Sequence, residues 1–352
     1  MSTEVLPALP QSPGVWAQAW RRLKTGRVGM VSLYVTLFFI VLVLLAQLGL
    51  VAKDWQKEVG TPFAPPDFVG RIADGSQTAV VDSIAGPNVD ISAVDPLAPR
   101  YQEWQERAAK FKTTITEKSD TLPFGGDQLG RDVLSKVIKG AQVSITVGLA
   151  AALMATLIGT LLGAIGGYFG GPIGDFLEWI YNVFTAIPYI LLVFALAAVL
   201  KSGPLAGTLG NGVWTVVIIL GLVGWTGIYR LIRSEYMKHR SREYVRAAEA
   251  IGASHASRMF VHILPNVSHV VLVQLSLYVV GFIKAEVILS YLGLGVPIDM
   301  VSWGTMLSEA QTELVLGKWW QLVAATTCMA TFVTAFALLT DALRDALDPK
   351  LR

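Results

Sequence analysis

Six stretches of this chain are apolar for long enough to form one repeated kind of element, and the polar stretches between them differ sharply in charge. The first, Val28 to Ala52, holds no charged residue. Rising about 1.5 Å per residue as a helix, it crosses a hydrocarbon core of about 30 Å. Five more follow at approximately Ala141 to Ile165, Leu177 to Leu200, Val213 to Ile232, Val267 to Ser290 and Trp319 to Thr340. Each is predicted to be a transmembrane helix, and six crossings return the chain to the side on which it began. Gly148, Gly159, Gly163, Gly166 and Gly167 recur in and after the second stretch. Such glycines weaken a soluble helix but let membrane helices approach closely, so this stretch is predicted to pack against other helices.

Charge then orients the crossings. Arg21, Arg22, Lys24 and Arg27 precede the first span, opposed by Glu4 alone. Arg230, Arg233, Lys238, Arg240, Arg242, Arg246 and Arg258 flank or fill the connection between the fourth and fifth spans. The positive-inside rule puts both in the cytoplasm, which predicts an N-in, C-in topology. The first apolar run is well beyond the roughly 7–15 residues of a signal-peptide core, so an uncleaved span is expected. Lys53 to Asp120 is net acidic and broken by prolines 62, 65, 66, 87, 96 and 99, which predicts an extracytoplasmic segment ordered chiefly by packing on partners. Within it, Tyr101, Trp104, Ala108, Phe111 and Ile115 recur at helical spacing and predict an amphipathic helix over Leu97 to Ile115. The divisions expected are a tail 1–27, a first span 28–52, an extracytoplasmic segment 53–122 and a five-helix core 123–352 with a cytoplasmic loop 233–265.

Composition narrows the function classes. With 53% hydrophobic and 15% charged residues the chain is no water-soluble globule, and a net charge of +2 offers no excess for nucleic acid. The single cysteine, Cys328, permits no intrachain disulfide, and no Cys/His metal spacing occurs. His239, His255, His262 and His269 gather near the basic loop without the i, i+4 pair of a helical zinc site, so solvated or interfacial roles are expected. No GxxxxGK[ST] is present, so any nucleotide that drives this protein binds another chain. No catalytic constellation stands out.

The loop Glu243-Tyr-Val-Arg-Ala-Ala-Glu-Ala-Ile-Gly252, followed by Pro265, is the most informative stretch. Small Ala247 and Ala248 suit a short helix lying close in a partner's groove, Gly252 suits its end, and Pro265 suits the opening of the next span. A solvated loop with the same residues by chance is the competing reading. The segment resembles the EAA loop of bacterial ABC importer permeases, with Ala247, Ala248, Gly252 and Pro265 at that family's spacing and Arg246 where its acid usually stands. Further matches resemble the C-type permease of the oligopeptide/dipeptide family. They are Gly126-Asp-Gln-Leu-Gly-Arg-Asp-Val-Leu134, Gly140-Ala-Gln-Val-Ser144, Gly167-Tyr-Phe-Gly-Gly171, Leu289-Ser-Tyr-Leu-Gly-Leu-Gly295, Ser302-Trp-Gly-Thr-Met306 and Leu343-Arg-Asp-Ala-Leu-Asp-Pro349. The family's usual charged pair near the third span is replaced by Trp179 and Asn182, and Lys53 to Asp120 is longer than the usual connection.

The resemblance implies an all-α integral membrane subunit with six transmembrane helices and the type I ABC importer permease fold, in a bacterial cytoplasmic membrane. It would be half of a pathway for peptides, completed by a second permease, two ATPase subunits that bind ATP and Mg, and an extracytoplasmic binding protein. Arg242, Glu243, Tyr244, Arg246, Ala247, Ala248, Glu249, Gly252 and Pro265 would couple it to the ATPases, and the chain itself would hold no cofactor and no metal. In the fifth span Lys284 and Glu286 point about 200° apart, so they cannot pair. Lys284 suits either snorkelling or the path, and Glu286 resembles a family acid expected to face the mouth of the path or the partner permease. Tyr101, Trp104 and Phe111 are expected to dock on a partner. The alternatives are uptake of nickel chelates or another small solute by the same architecture, or a secondary transporter working alone, which would want buried charges at the membrane midplane.

Overall fold

The computed structural model describes residues 15–70, 96–97, 100–109, 118–202, 212–297 and 299–347, and the apolar runs of the sequence are helices in it. β-type pairing among the described residues is limited to isolated bridges. The chain divides into two units, Met1–Trp55 with Leu134–Arg352, and Gln56–Val133.

The first unit begins with α1 (Val15–Thr25) and α2 (Arg27–Gln47), hinged at Gly26. Free of charge after Arg27, α2 exposes Val31, Tyr34, Phe38 and Val41 on one side. Its other side, with Phe39 and Val43, packs along α11 (Trp320–Leu347), where Phe39 and Phe332 meet edge to face at 5.2 Å. Three long helices make the core: α4 (Val133–Phe169), α7 (Val213–Arg240) and α9 (Leu264–Tyr291). Ile145, Val147, Ile219, Leu220 and Ile283 are fully enclosed there. The shorter α10 (Trp303–Val315) closes one end between α9 and α11.

Glycine makes this core tight. A Cβ built at Gly159 would sit 2.6 Å from the Trp225 carbonyl oxygen, one at Gly163 2.7 Å from that of Tyr229, and one at Gly167 2.5 Å from that of Arg233. Three positions four apart on α4 therefore form one stripe against which the backbone of α7 lies, the small-residue packing that the sequence predicts.

The third apolar run departs from expectation. Leu177 to Leu200 is predicted as one span, but the chain forms α5 (Gly171–Thr185) and α6 (Tyr189–Ser202), bent by 88° across the break. Pro188 explains it. Its ring disfavours helical backbone at Ile187 and it has no N–H to donate, so the helix closes at Ala186 and restarts after the proline. At the end of α5 the Thr185 hydroxyl donates to the carbonyls of Tyr181 and Asn182, at 3.0 and 3.3 Å. Among the described residues five helices are long and apolar enough to cross a membrane, and six spans result if the bent pair is one.

The described residues of the unit Gln56–Val133 bond to one another, whereas the sequence reading expects this segment to be ordered chiefly by packing on partners. Gly60 N–H donates to the Gly130 carbonyl and Thr61 N–H to that of Ser119, both at 2.9 Å, and Lys118 pairs with Glu58 at 2.8 Å. Its centre is Asp127, whose enclosed carboxylate accepts from the Leu129 and Arg131 N–H groups at 2.9 Å and from Arg131 Nε at 2.6 Å. Gly130 has φ +77° and no room for a side chain against Gly60. The Gly126-Asp-Gln-Leu-Gly-Arg-Asp sequence is thus a self-satisfied turn, an Asx-type structure closed by an ion pair. Of the amphipathic helix predicted over Leu97 to Ile115, the described part is α3 (Tyr101–Ala109), and Phe111 and Ile115 lie outside the described residues.

Candidate functional site

After α7 the chain makes one short helix, α8 (Glu243–Ala250). Arg242 sets the corner with extended backbone, and its carbonyl accepts from Val245 and Arg246. The far end is a complete Schellman turn: Gly252 N–H donates to the Glu249 carbonyl at 2.9 Å and Ala253 N–H to that of Ala248 at 3.0 Å. Gly252 has φ +81° with nothing within 4 Å of a built Cβ, so any penalty for a side chain is purely conformational. Gly252→Ala is expected to cost about 1–2 kcal/mol. Gly252→Pro is expected to cost more, because it also deletes the donor to Glu249. Hydrogen exchange of the Ala253 amide, which donates to Ala248, reports the turn in both variants, and unaltered exchange in Gly252→Pro would refute the assignment.

α8 has two faces. Val245 and Ala248 are buried, at 3% and 4% exposure, and Val245 packs with Tyr168, Tyr236, Met259 and Ile263. Arg242, Glu243, Tyr244, Arg246, Ala247 and Glu249 are exposed. This corrects the sequence reading, which puts Ala247 and Ala248 together on a partner-facing surface. Successive helical residues lie about 100° apart, so an Ala-Ala pair cannot share one face. Ala247 points outward and Ala248 into its own subunit. The Tyr244 hydroxyl lies 2.8 Å from His239 Nδ1, and partial desolvation of that hydroxyl pushes its pKa above the ordinary value.

Pro265 stands in the first turn of α9, as the sequence predicts, but that helix does not start from a loop. The chain is already helical from His255, runs through a π-helical segment Ser257–Ile263 and passes directly into α9. The wider π turn ahead of Pro265 accommodates the ring and the missing N–H.

A polar cluster joins these pieces. Arg258 Nη1 contacts Glu249 Oε1 at 2.6 Å, and Arg258 Nη2 donates to His255 Nδ1 at 3.0 Å. The Tyr168 hydroxyl lies 2.9 Å from the same His255 nitrogen, and the Arg258 guanidinium sits 5.8 Å above the Tyr168 ring. These groups line a cavity of about 530 Å³ together with Arg240 and Arg246. Sequence reasoning counted Arg258 only as a charge and His255 only as an interfacial residue. Their i, i+3 spacing was the available signal.

Glu286 and Lys284 separate as their spacing predicts, but Glu286 is not at a mouth. It is wholly enclosed within the subunit, where Ser290 Oγ donates to Oε1 at 2.6 Å. Around it stand Ser144 and Ser302, the latter capping α10 in a reciprocal box with Thr305. Three sequence motifs hold Ser144, Ser290 and Ser302, and glycines in two of them close this enclosure: Gly304 lies against the Val287 carbonyl, and Gly293, at φ +78°, ends α9. Lys284 is exposed. Glu286→Leu is expected to lose about 1–3 kcal/mol by orphaning the Ser290 donor, Glu286→Gln to keep most of the stability, and Lys284→Met to change little. Thermal unfolding of the purified subunit orders the three, and a larger loss for Lys284→Met contradicts the ordering.

Two further placements complete the picture. Tyr101 and Trp104 are exposed on α3 with ring centroids 5.9 Å apart, and Phe111 lies outside the described residues. Lys136, unnoticed in the sequence, is buried on α4 and bonds Glu309 Oε2 at 2.5 Å and Gln321 Oε1 at 3.2 Å, joining α4, α10 and α11. Among the described residues no group of three or more His, Cys, Asp or Glu could hold a metal ion.

Residues 142–352, more than half of the chain, match the family described as the inner membrane component of binding-protein-dependent transport systems. The chain belongs to this family. Residues 14–66 also match the N-terminal transmembrane domain of oligopeptide transport permease C. The permease is 31% identical over 95% of its length to the dipeptide transport system permease protein DppC of Bacillus subtilis, covering 85% of that protein. It is 38% identical to the oligopeptide permease OppC of the same organism, over 69% of this chain and 78% of that one. It is 39% identical to the glutathione permease GsiD of Salmonella typhimurium, over 65% and 72%. A solved structure described as an amino acid ABC transporter with histidines aligns with a TM-score of 0.44 at 14% identity, over 60% of this chain and 94% of that one. The permease is therefore a multi-pass, non-catalytic subunit with the type I importer fold, and it contributes to the translocation path of an ATP-driven importer. Such a subunit works with a partner permease, ATPases and a binding protein.

Proposed function

We propose that this permease forms one half of a peptide path in a bacterial cytoplasmic membrane, oriented N-in and C-in, with α8 as its contact with an ATPase subunit. The observation that carries the substrate class is the breadth of likeness to permeases named for dipeptides, oligopeptides and glutathione. One homologous permease, two ATPase subunits holding ATP and Mg, and an extracytoplasmic binding protein complete the assembly. α8 suits the coupling role because it is short, capped at its end and anchored by a buried face, with Arg242, Arg246 and Ala247 turned outward. ATP binding draws the ATPases together, α8 follows, and the spans open toward the binding protein; hydrolysis resets them.

The complete transporter in liposomes is expected to take up labelled peptide only with ATP inside the compartment that holds the ATPases and with binding protein on the opposite side. Uptake by this subunit alone, driven by an ion gradient, would overturn the reading. Orientation is tested separately: a protease site near residue 80 is expected to be cut from outside the cell membrane and one at Ser254 only from inside, and cutting of both from one side would refute it.

A further inference from the structure

We infer that Glu249, Arg258, His255 and Tyr168 form a tether that carries movement of α8 into the ends of α4 and α9, with Arg258 as its hub. The inference rests on reading α8 as the coupling helix.

Three observations carry it. The apolar face of α8, Val245 and Ala248, makes non-directional contacts, whereas the contacts of Arg258 to Glu249 at 2.6 Å and to His255 at 3.0 Å are short, charge-assisted and directional. The cavity between α8 and the last turn of α4 is bridged on its polar side by this chain of groups. Second, Arg258 is only 8% exposed, and its Nε has no hydrogen-bond partner among the described residues. The guanidinium is thus held through its two Nη groups, and separating it from Glu249, whose own side chain is largely exposed, would leave a mostly buried cation short of its nearest counter-charge at 2.6 Å. Third, the ends of the tether sit on movable parts. Arg258 lies in the π-helical segment Ser257–Ile263 that leads without interruption into α9, and such single π turns occur frequently at functional sites. Tyr168 is next to the last residue of α4, immediately after Gly167 of the stripe packed on α7. A pull on Glu249 therefore reaches α9 through the π segment and the α4–α7 pair through His255 and Tyr168.

The test uses the complete transporter in nanodiscs, with the purified cognate binding protein carrying its co-purifying ligand as stimulant. Tyr168→Phe, which deletes one hydroxyl, is expected to keep the ATPase subunits and basal hydrolysis but lower the ratio of stimulated to basal hydrolysis about tenfold, within the usual range of coupling factors. Glu249→Gln is expected to lower that ratio similarly, and combining Glu249→Arg with Arg258→Glu to restore most of it. Unchanged stimulation in both Tyr168→Phe and Glu249→Gln overturns the tether. Loss of ATPase subunits from Glu249→Gln also overturns it, by making Glu249 a docking residue. Absence of any cross-link from Ala247→Cys to an ATPase subunit in the otherwise unaltered transporter overturns instead the coupling reading beneath it.

Discussion

Ala247→Trp is expected to leave the permease folded, inserted and paired with its partner permease while stripping it of ATPase subunits. Ala247 is exposed on α8, so an indole there meets nothing of its own chain. If α8 lies in an ATPase groove, the added volume costs about 1–3 kcal/mol of overpacking at that interface, about 5- to 150-fold in affinity. Ala248→Trp is expected to behave oppositely. At 4% exposure its indole enters the packing beneath α8 and lowers the subunit's own stability first. Co-purification from mild detergent, scored beside the melting temperature of the permease, separates the two. Full retention of ATPase subunits by Ala247→Trp would remove α8 from the interface.

Gly163→Leu should be the most damaging single change to the fold. A Cβ alone at Gly163 falls 2.7 Å from the Tyr229 carbonyl oxygen and 3.2 Å from Arg233 N. Both are backbone atoms of α7 that cannot rotate away, so the two helices must part along their length. The expected loss exceeds about 3 kcal/mol, the upper end of ordinary overpacking. Gly281→Ala is the matched control: it lies in α9 with nothing within 4 Å of a built Cβ, and exchanging glycine for alanine in a helix gains about 0.5–1 kcal/mol. Thermal unfolding of both variants in the same detergent gives the comparison. Equal stability would mean that the glycine stripe does not hold α4 to α7.

Much of this fold is legible in the sequence because the bilayer imposes a single requirement, length of apolar run, that few single residues override. Five of the six runs lie in one long helix each and the third in a broken pair. What escaped is local. Pro188 lies inside the third run, and hydropathy alone does not register the lost N–H that bends it by 88°. The Ala247-Ala248 pair identifies the right helix, yet adjacency in sequence was mistaken for a shared face. Glu286 is recognisable as an unusual acid in an apolar run, but whether it faces a path or a neighbouring helix depends on packing that a single helix does not reveal. The Lys136–Glu309 contact joins residues 173 apart, and the tether around Arg258 reaches back 90 residues to Tyr168, since 258 − 168 = 90. Contacts of that reach leave no periodicity to read.

The break after α5 also restricts its surroundings. Fifteen residues of helix precede it, about 22 Å of rise, which puts Ala186 to Pro188 at hydrocarbon depth when Gly171 starts at the membrane surface. Acyl chains neither donate nor accept hydrogen bonds, and irregular backbone at that depth persists only against protein or water. Ile187, Tyr189 and Ile190 are exposed in the subunit on its own. A lipid-facing position for this elbow is thereby disallowed, and its apolar rim becomes a surface that the assembled transporter has to cover or flood.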